Sequence, residues 1–205
     1  MFKRVRIPTG QVGLKYRSGE LQDVLQPGVY WIRILDEVRT YDRAKPRFED
    51  ARLEILLANR ALRDELEVVD LTDSQRAIVF RDGRLTQVLG PGLFAFWNKP
   101  ASIEIEVFDT AVSVRLEHRH LERILAAPEA RGLIQAIRVG PHEKILVYVD
   151  GELSGVFGPG TYAYWVGARA VTYESVDLRE RVLDVSGQEI MTVDKVTLRL
   201  NLVVT

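Results

Sequence analysis

Apolar and polar side chains alternate in three short stretches of the chain. Leu14 and Tyr16, Ile78 and Phe80, and Leu146 and Tyr148 each fall at a period of two. This predicts strands with one buried side, on which Tyr16, Phe80 and Tyr148 lie. Each strand runs into a related sequence: "SGELQDVLQPGVYWIR" from Ser18, "DGRLTQVLGPGLFAFW" from Asp82 and "DGELSGVFGPGTYAYW" from Asp150. Gly19, Gly83 and Gly151 are followed at matched spacing by Leu21, Leu85 and Leu153, then by Val24, Val88 and Val156. Pro27, Pro91 and Pro159 come next, and then the aromatics Tyr30, Phe94 and Tyr162. Asp82-Gly83 and Asp150-Gly151 supply the positive φ angles of a tight hairpin, and Ser18-Gly19 does so less ideally. Pro-Gly predicts a type II turn into an aromatic strand. Each copy therefore reads as a β-meander. Its recurring residues are turn-makers and core; the aromatic trios read first as buried core, with a face toward lipid or a partner as the alternative.

Between the copies the period changes. Leu53, Leu56, Leu57 and Arg60 fall at helical spacing, as do Leu121, Ile124 and Leu125, and Pro128 should stop the second helix or open a new turn. "LEILLANRALRDELEVVDL" from Leu53 lies over "LERILAAPEARGLIQAIRV" from Leu121, and "EVRTYD" ending at Asp42 is echoed by "IEVFDT" around Asp109. Fixed-period similarity is the mark of repeated structural units. The expected fold is a β-rich α+β arrangement of three consecutive modules, residues 1–66, 67–135 and 136–205, with short connecting helices. A module of roughly 65 residues is marginal alone, so neighbours should share buried surface.

Charge and composition narrow the function. Lys and Arg number 28 against 29 Asp and Glu, a net charge of −1, which gives no broad pull toward nucleic acid or an anionic membrane. No cysteine is present, so disulfides, thiolate metal sites and cysteine nucleophiles are excluded. The start, "MFKRVRIPTGQ", is basic but lacks the apolar stretch of a secretory signal, and no window approaches the ~18 apolar residues of a membrane helix. Lys3, Arg4 and Arg6 read first as a solvated strand start, with contact to anionic lipid as the alternative.

Candidate chemistry is sparse. His118, His120 and His142 lack an accompanying ligand set and read as solvated or unassigned residues. Glu104 and Glu106 alternate with Ile103, Ile105 and Val107, as on the wet face of an edge strand. Gly90-Pro91-Gly92 and Gly158-Pro159-Gly160 have no following helix or Lys to hold a phosphate. Asp177 and Arg179 read as an ion pair or turn anchor. No catalytic, cofactor-binding or metal-ligating residue is assigned, and the protein is read as not an enzyme.

The third copy continues into a different sequence. Val176-Asp177-Leu178-Arg179 is followed by Asp184, Gln188-Glu189-Ile190, Thr192, Asp194, Val196-Thr197 and Val203-Val204. With the upstream "EKILVYVDGELSGVFGPGTYAYW", this order resembles the start of the SPFH, or band-7, domain of stomatins, prohibitins and slipins, over about residues 138–205. Copies one and two would be N-terminal additions echoing its opening hairpin, as in a bacterial slipin-like subgroup. The alternating run Val196–Val204 reads as a half-buried strand, and the stop at Thr205 as a cut inside the SPFH domain. The N-terminal membrane hairpin and lipidated cysteines usual in stomatins do not occur in this sequence, and neither does the family's long C-terminal helix. The resemblance implies a non-enzymatic scaffold that forms homo-oligomers, cytoplasmic and in peripheral contact with the inner face of a membrane, without cofactor or nucleic acid. The alternative is a monomeric protein- or peptide-binding adaptor that uses exposed strand edges.

Overall fold

A computed structural model describes residues 1–180 and 183–204. The first copy comprises β1 (Phe2–Ile7), β2 (Gln11–Arg17), β3 (Glu20–Leu25), β4 (Gly28–Arg33) and β5 (Glu37–Asp42), then the single-turn helices α1 (Leu53–Leu56) and α2 (Arg60–Arg63). The second comprises β6 (Leu66–Leu71), β7 (Gln75–Arg81), β8 (Arg84–Leu89), β9 (Gly92–Trp97) and β10 (Ile103–Asp109). It is followed by β11 (Arg115–Leu116), α3 (Leu121–Ala126) and a 3-10 turn at Pro128–Ala130. The third comprises β12 (Ile134–Val139), β13 (Glu143–Val149), β14 (Glu152–Phe157), β15 (Gly160–Trp165) and β16 (Val171–Asp177). The hairpin of β17 (Leu183–Met191) and β18 (Thr197–Val204) comes last. Backbone contacts divide the chain into two units: Met1–Ala136 with Tyr162–Ala170, and Ile137–Thr161 with Val171–Thr205.

The fold is strand-rich α+β, as expected, and the hairpins form where the glycines predict. Ser18 and Gly19, Asp82 and Gly83, and Asp150 and Gly151 all have positive φ, between 50° and 85°. Two successive positive φ angles match the right-handed twist of the flanking strands. A register shift lies beside each turn at the same place, between Lys15 and Tyr16, Val79 and Phe80, and Val147 and Tyr148. Pro128 opens the 3-10 turn from its first position.

The pairing inside a copy corrects the meander. The second strand is central, in the orders β3-β2-β5, β8-β7-β10 and β14-β13-β16. The aromatic strand instead pairs with the first strand, β4 with β1 and β9 with β6. Pro27 and Pro91 sit at the bends where the chain leaves the three-stranded sheet. Proline has no N–H for the ladder, so pairing stops there and the chain crosses to a second layer. The type II turn is not formed either. Gly28, Gly92 and Gly160 already begin their strands, Gly28 without positive φ and the other two at 132° and 151°, far from the roughly +80° of that turn.

The layers explain the core. Within the second copy, Leu71 and Phe96 of the ribbon pack on Ala77, Val79 and Leu89 of the sheet. The opposite sheet face is closed from elsewhere. In the first copy Val12, Leu14 and Tyr16 pack against Leu56 and Leu62 of α1 and α2, and against Leu66, Ala95 and Trp97 of β6 and β9. In the second, Ile78, Phe80 and Val88 pack against Ile124 of α3 and against Ala163 and Trp165 of β15. A sheet, its connecting helix and the ribbon after it therefore share one core.

The third sheet departs from this rule. Tyr148 was expected on the buried side, yet it and Leu146 are only half-buried, while Ile145, Val147 and Val149 of the other face are buried. No helix follows β16 among the described residues to cover Leu146 and Tyr148. The backbone of Thr197–Val204 is a strand as expected, but Val196 lies before it, and Val196 and Thr197 are exposed; side-chain burial from Leu198 onward lies outside the described residues, as does Thr205.

Candidate functional site

The β1–β4 ribbon has two faces set by its register. Lys3 opposite Ile32 and Ile7 opposite Gly28 define the inner face, where Ile7 and Ile32 are buried. Phe2 opposite Arg33, Arg4 opposite Trp31, and Arg6 opposite Val29 define the outer one. There Trp31 is 70% exposed, Phe2 and Val29 are exposed, and Ile34 and Leu35 follow in the adjoining turn. Arg4, Arg6 and Arg33 are exposed, and no salt bridge to a carboxylate is found for them among the described residues.

The repeats make this face unusual. By register, Trp31 stands where Ala95 stands in the second copy, Arg33 where Trp97 stands, Phe2 where Leu66 stands and Arg4 where Val68 stands. All four second-copy residues belong to, or pack on, the core beside the first sheet. The aromatic trios are thus core in β9 and β15, where Trp97 and Trp165 are buried, but in β4 Trp31 points outward. A face that is interior in the second copy is external in the first, and combines aromatic with cationic groups.

The residues singled out from sequence fall elsewhere. His118 and His120 are not solvated: both are partly buried beside Phe80, with ring centroids 5.8 and 6.3 Å from it. His118 Nε2 lies 3.0 Å from Glu106 Oε2. Burial, aided by the positive charges of Arg119 and Arg123, holds the His120 imidazole below its ordinary range. His142 is exposed. β10 is an edge strand, and Glu104 is exposed as expected. Glu106, however, faces the helix-covered side of the sheet, opposite Ile78. Sequence reading missed this pairing, because the register that sets Glu106 opposite Ile78 is not written in either segment.

Asp177 is a turn anchor and an ion-pair partner at once. Its carboxylate accepts from the Arg179 backbone N–H at 3.0 Å and from the Arg179 guanidinium at 2.7–3.1 Å. Asp42 and Asp109 cap their strand ends alike, accepting from Ala44 N–H at 2.8 Å and Ala111 N–H at 2.9 Å. The short side chain mimics one turn of backbone in all three copies. Thr192 and Asp194 serve the β17–β18 turn: the Thr192 hydroxyl donates to Asp194 and accepts from the Val196 N–H at 3.2 Å.

Two further polar groups brace the first copy. Buried Asp36 accepts from Arg17 at 2.9 and 3.3 Å, and these bonds hold its carboxyl below the usual range. The Tyr41 hydroxyl donates to Asp50 at 2.6 Å, and burial together with that carboxylate pushes the phenol up. An open groove of about 660 Å³ borders Asp50 between Arg47, Arg52 and Leu93. It holds no pairing of nucleophile and base. No cluster of three or more metal-ligating side chains occurs among the described residues, and none of their helices is long and apolar enough to cross a membrane.

Residues 137–205 match the family model described as SPFH domain / Band 7 family. No curated protein and no solved structure matches the chain. The last third of the chain is thus similar to the SPFH domain / Band 7 family.

Proposed function

We propose that this protein is a non-enzymatic scaffold of the slipin-like SPFH class. Two repeat modules, residues 1–66 and 67–135, precede the SPFH-type third module, and the protein self-associates and meets a membrane peripherally at its cytoplasmic face. The observation that carries the reading is the outer face of β1–β4. A surface that only needed solubility would be polar there. This one keeps Phe2, Val29 and Trp31 and interleaves Arg4, Arg6 and Arg33. Indole and phenyl rings sit well at the headgroup level. Each arginine near an anionic surface contributes about 1 kcal/mol.

A second reading, a monomeric adaptor capturing an extended segment, draws on β5, β10 and β16, each of which has a single neighbour among the described residues. Co-sedimentation with phosphatidylserine vesicles, combined with light-scattering mass in their absence, separates the two. The scaffold reading expects oligomers and vesicle binding that falls about a hundredfold in Arg4→Glu/Arg33→Glu. A monomer that ignores vesicles at low salt favours the adaptor.

A further inference from the structure

The first two copies open their connecting helices with the same backbone bonds but different acceptors. Ahead of α1, Leu53 N–H donates to the Asp50 carbonyl at 3.1 Å, and Arg52 N–H donates to Asp50 Oδ1 at 2.9 Å. Ahead of α3, Leu121 N–H donates to the His118 carbonyl at 3.1 Å, and His120 N–H donates to His118 Nδ1 at 3.0 Å. Leu53 and Leu121 are repeat equivalents, so an imidazole nitrogen stands where the first copy has a carboxylate oxygen. A carboxylate accepts at any pH above about 4, whereas an imidazole nitrogen accepts only while it carries no proton.

The rest of the His118 ring is committed as well. An accepting Nδ1 leaves the ring proton on Nε2, which donates to Glu106 Oε2 of β10 at 3.0 Å. The ring stacks on Phe80 of β7, and the side chain is 8% exposed. His118 thus ties the start of α3 to two strands of the sheet that α3 covers through Leu121, Ile124 and Leu125. A second proton can enter only at Nδ1. There it sets N–H against N–H and removes the bond from His120.

The second histidine adds to the effect. The His120 ring centroid lies 5.6 Å from that of His118. Burial first, then Arg119, Arg123 and His118, hold His120 below its ordinary range, and Glu106 acts the other way. The other charges nearby are solvated or engaged. Glu104 of β10, opposite Phe80, and Glu122 of α3 are exposed, and Glu117 pairs with Arg115 at 3.1 Å. Arg76 of β7 is buried and donates to the carbonyls of Asp73, Gln75 and Val166. β8 brings Leu85 and Val88 to this core and β15 brings Ala163 and Trp165, none of them titratable. A released segment therefore takes a proton at His120 more readily than the docked one. Docking is fully stabilised above about pH 6.5 and loses that stabilisation as pH falls through the docked value.

We propose that the His118–His120 pair is an acid-sensitive latch: protonation at His118 Nδ1 and on His120 loosens the start of α3 from the β8–β7–β10 sheet, while the helices of the first copy stay closed. Acid thereby exposes the apolar stripe of α3 and the Phe80 face beneath it. This device does not draw on the membrane reading of the β1–β4 face.

Hydrogen exchange of the full chain at about pH 7.5 and about pH 5.5, corrected for the intrinsic pH dependence of exchange, tests the latch. Protection of residues 118–126 should fall by about fivefold or more at the lower pH, while residues 53–63, held by Asp50, keep theirs. Installing the first copy's residues, His118→Asp with His120→Arg, should abolish the fall; Glu106→Gln is included so that no two carboxylates face each other. If circular dichroism shows that variant unfolded at neutral pH, His118→Gln/His120→Gln carries the same test. A smaller fall in the wild type, an equal fall in residues 53–63, or a fall that survives removal of both histidines overturns the proposal.

Discussion

Val88 and Val156 occupy the same repeat position, yet Val88 is 4% exposed and Val156 is 56% exposed. An aspartate at each tests whether one sheet face is closed and the other open. At Val88 the substitution removes about 2 kcal/mol of apolar burial and leaves a carboxylate without a partner beside Ile78, Phe80, Ile124 and Trp165, at a cost of ~3–5 kcal/mol. The sum, about 5 kcal/mol or more, is comparable to the whole stability of a small domain. At Val156 the charge stays in water, and the loss is about 1 kcal/mol or less, mostly strand preference. Guanidinium unfolding followed by tryptophan emission reports the first unit, because Trp97 and Trp165 are both buried there. Hydrogen exchange of β13 and β14 reports the second. Val88→Asp should unfold or nearly unfold the first unit, and Val156→Asp should leave exchange in β13 and β14 within a few-fold of wild type. Equal damage from both would refute the open face.

Two further predictions concern the first copy. A Cβ at Gly13 would lie 2.6 Å from Ile7 Cδ1 and 3.1 Å from Val38 Cγ1. Gly13→Ala should therefore cost about 1–3 kcal/mol by denaturation, and Ile7→Val, which deletes the clashing methyl, should recover part of that loss; a neutral Gly13→Ala would count against the packing of ribbon on sheet. The Asp36 carboxyl is held below its unfolded value by Arg17, so its stabilisation is present above about pH 4 and is lost as pH falls through the folded value. Asp36→Asn should lower the melting temperature at pH 7, with the difference from wild type shrinking below about pH 4; a difference constant from pH 7 to pH 2 would exclude the ion pair as its cause.

What the sequence disclosed was local chemistry. Asp82-Gly83 and Asp150-Gly151 make their turns from the conformational freedom of two adjacent residues, and Pro128 opens its 3-10 turn for a reason confined to its own ring. Pairing choices were not legible in the same way. Nothing between Pro27 and Tyr30 states that β4 crosses to β1, because the choice rests on partners more than twenty residues away. Exposure was harder still. "VYWI" and "LFAFW" are both apolar runs, but Trp97 is buried against the first sheet, whereas Trp31 is left exposed among the described residues. Tyr148 was misplaced on its strand for the same reason. His118 was read as a solvated residue because its partner, Glu106, lies on another element. The SPFH resemblance of the last third rests on residues such as Asp177, Thr192 and Asp194, which act as turn anchors rather than reagents.

The reading of the β1–β4 face as a membrane-contact surface is tested most directly by Trp31 itself. Of the three tryptophans, Trp97 and Trp165 are buried and Trp31 is exposed, so brominated lipids should quench Trp31 selectively. With brominated phosphatidylserine vesicles, the account predicts a blue-shifted emission and quenching that are both abolished in Trp31→Ser and reduced by high salt. Emission unchanged by anionic vesicles at low salt, or quenching that persists in Trp31→Ser, would contradict it.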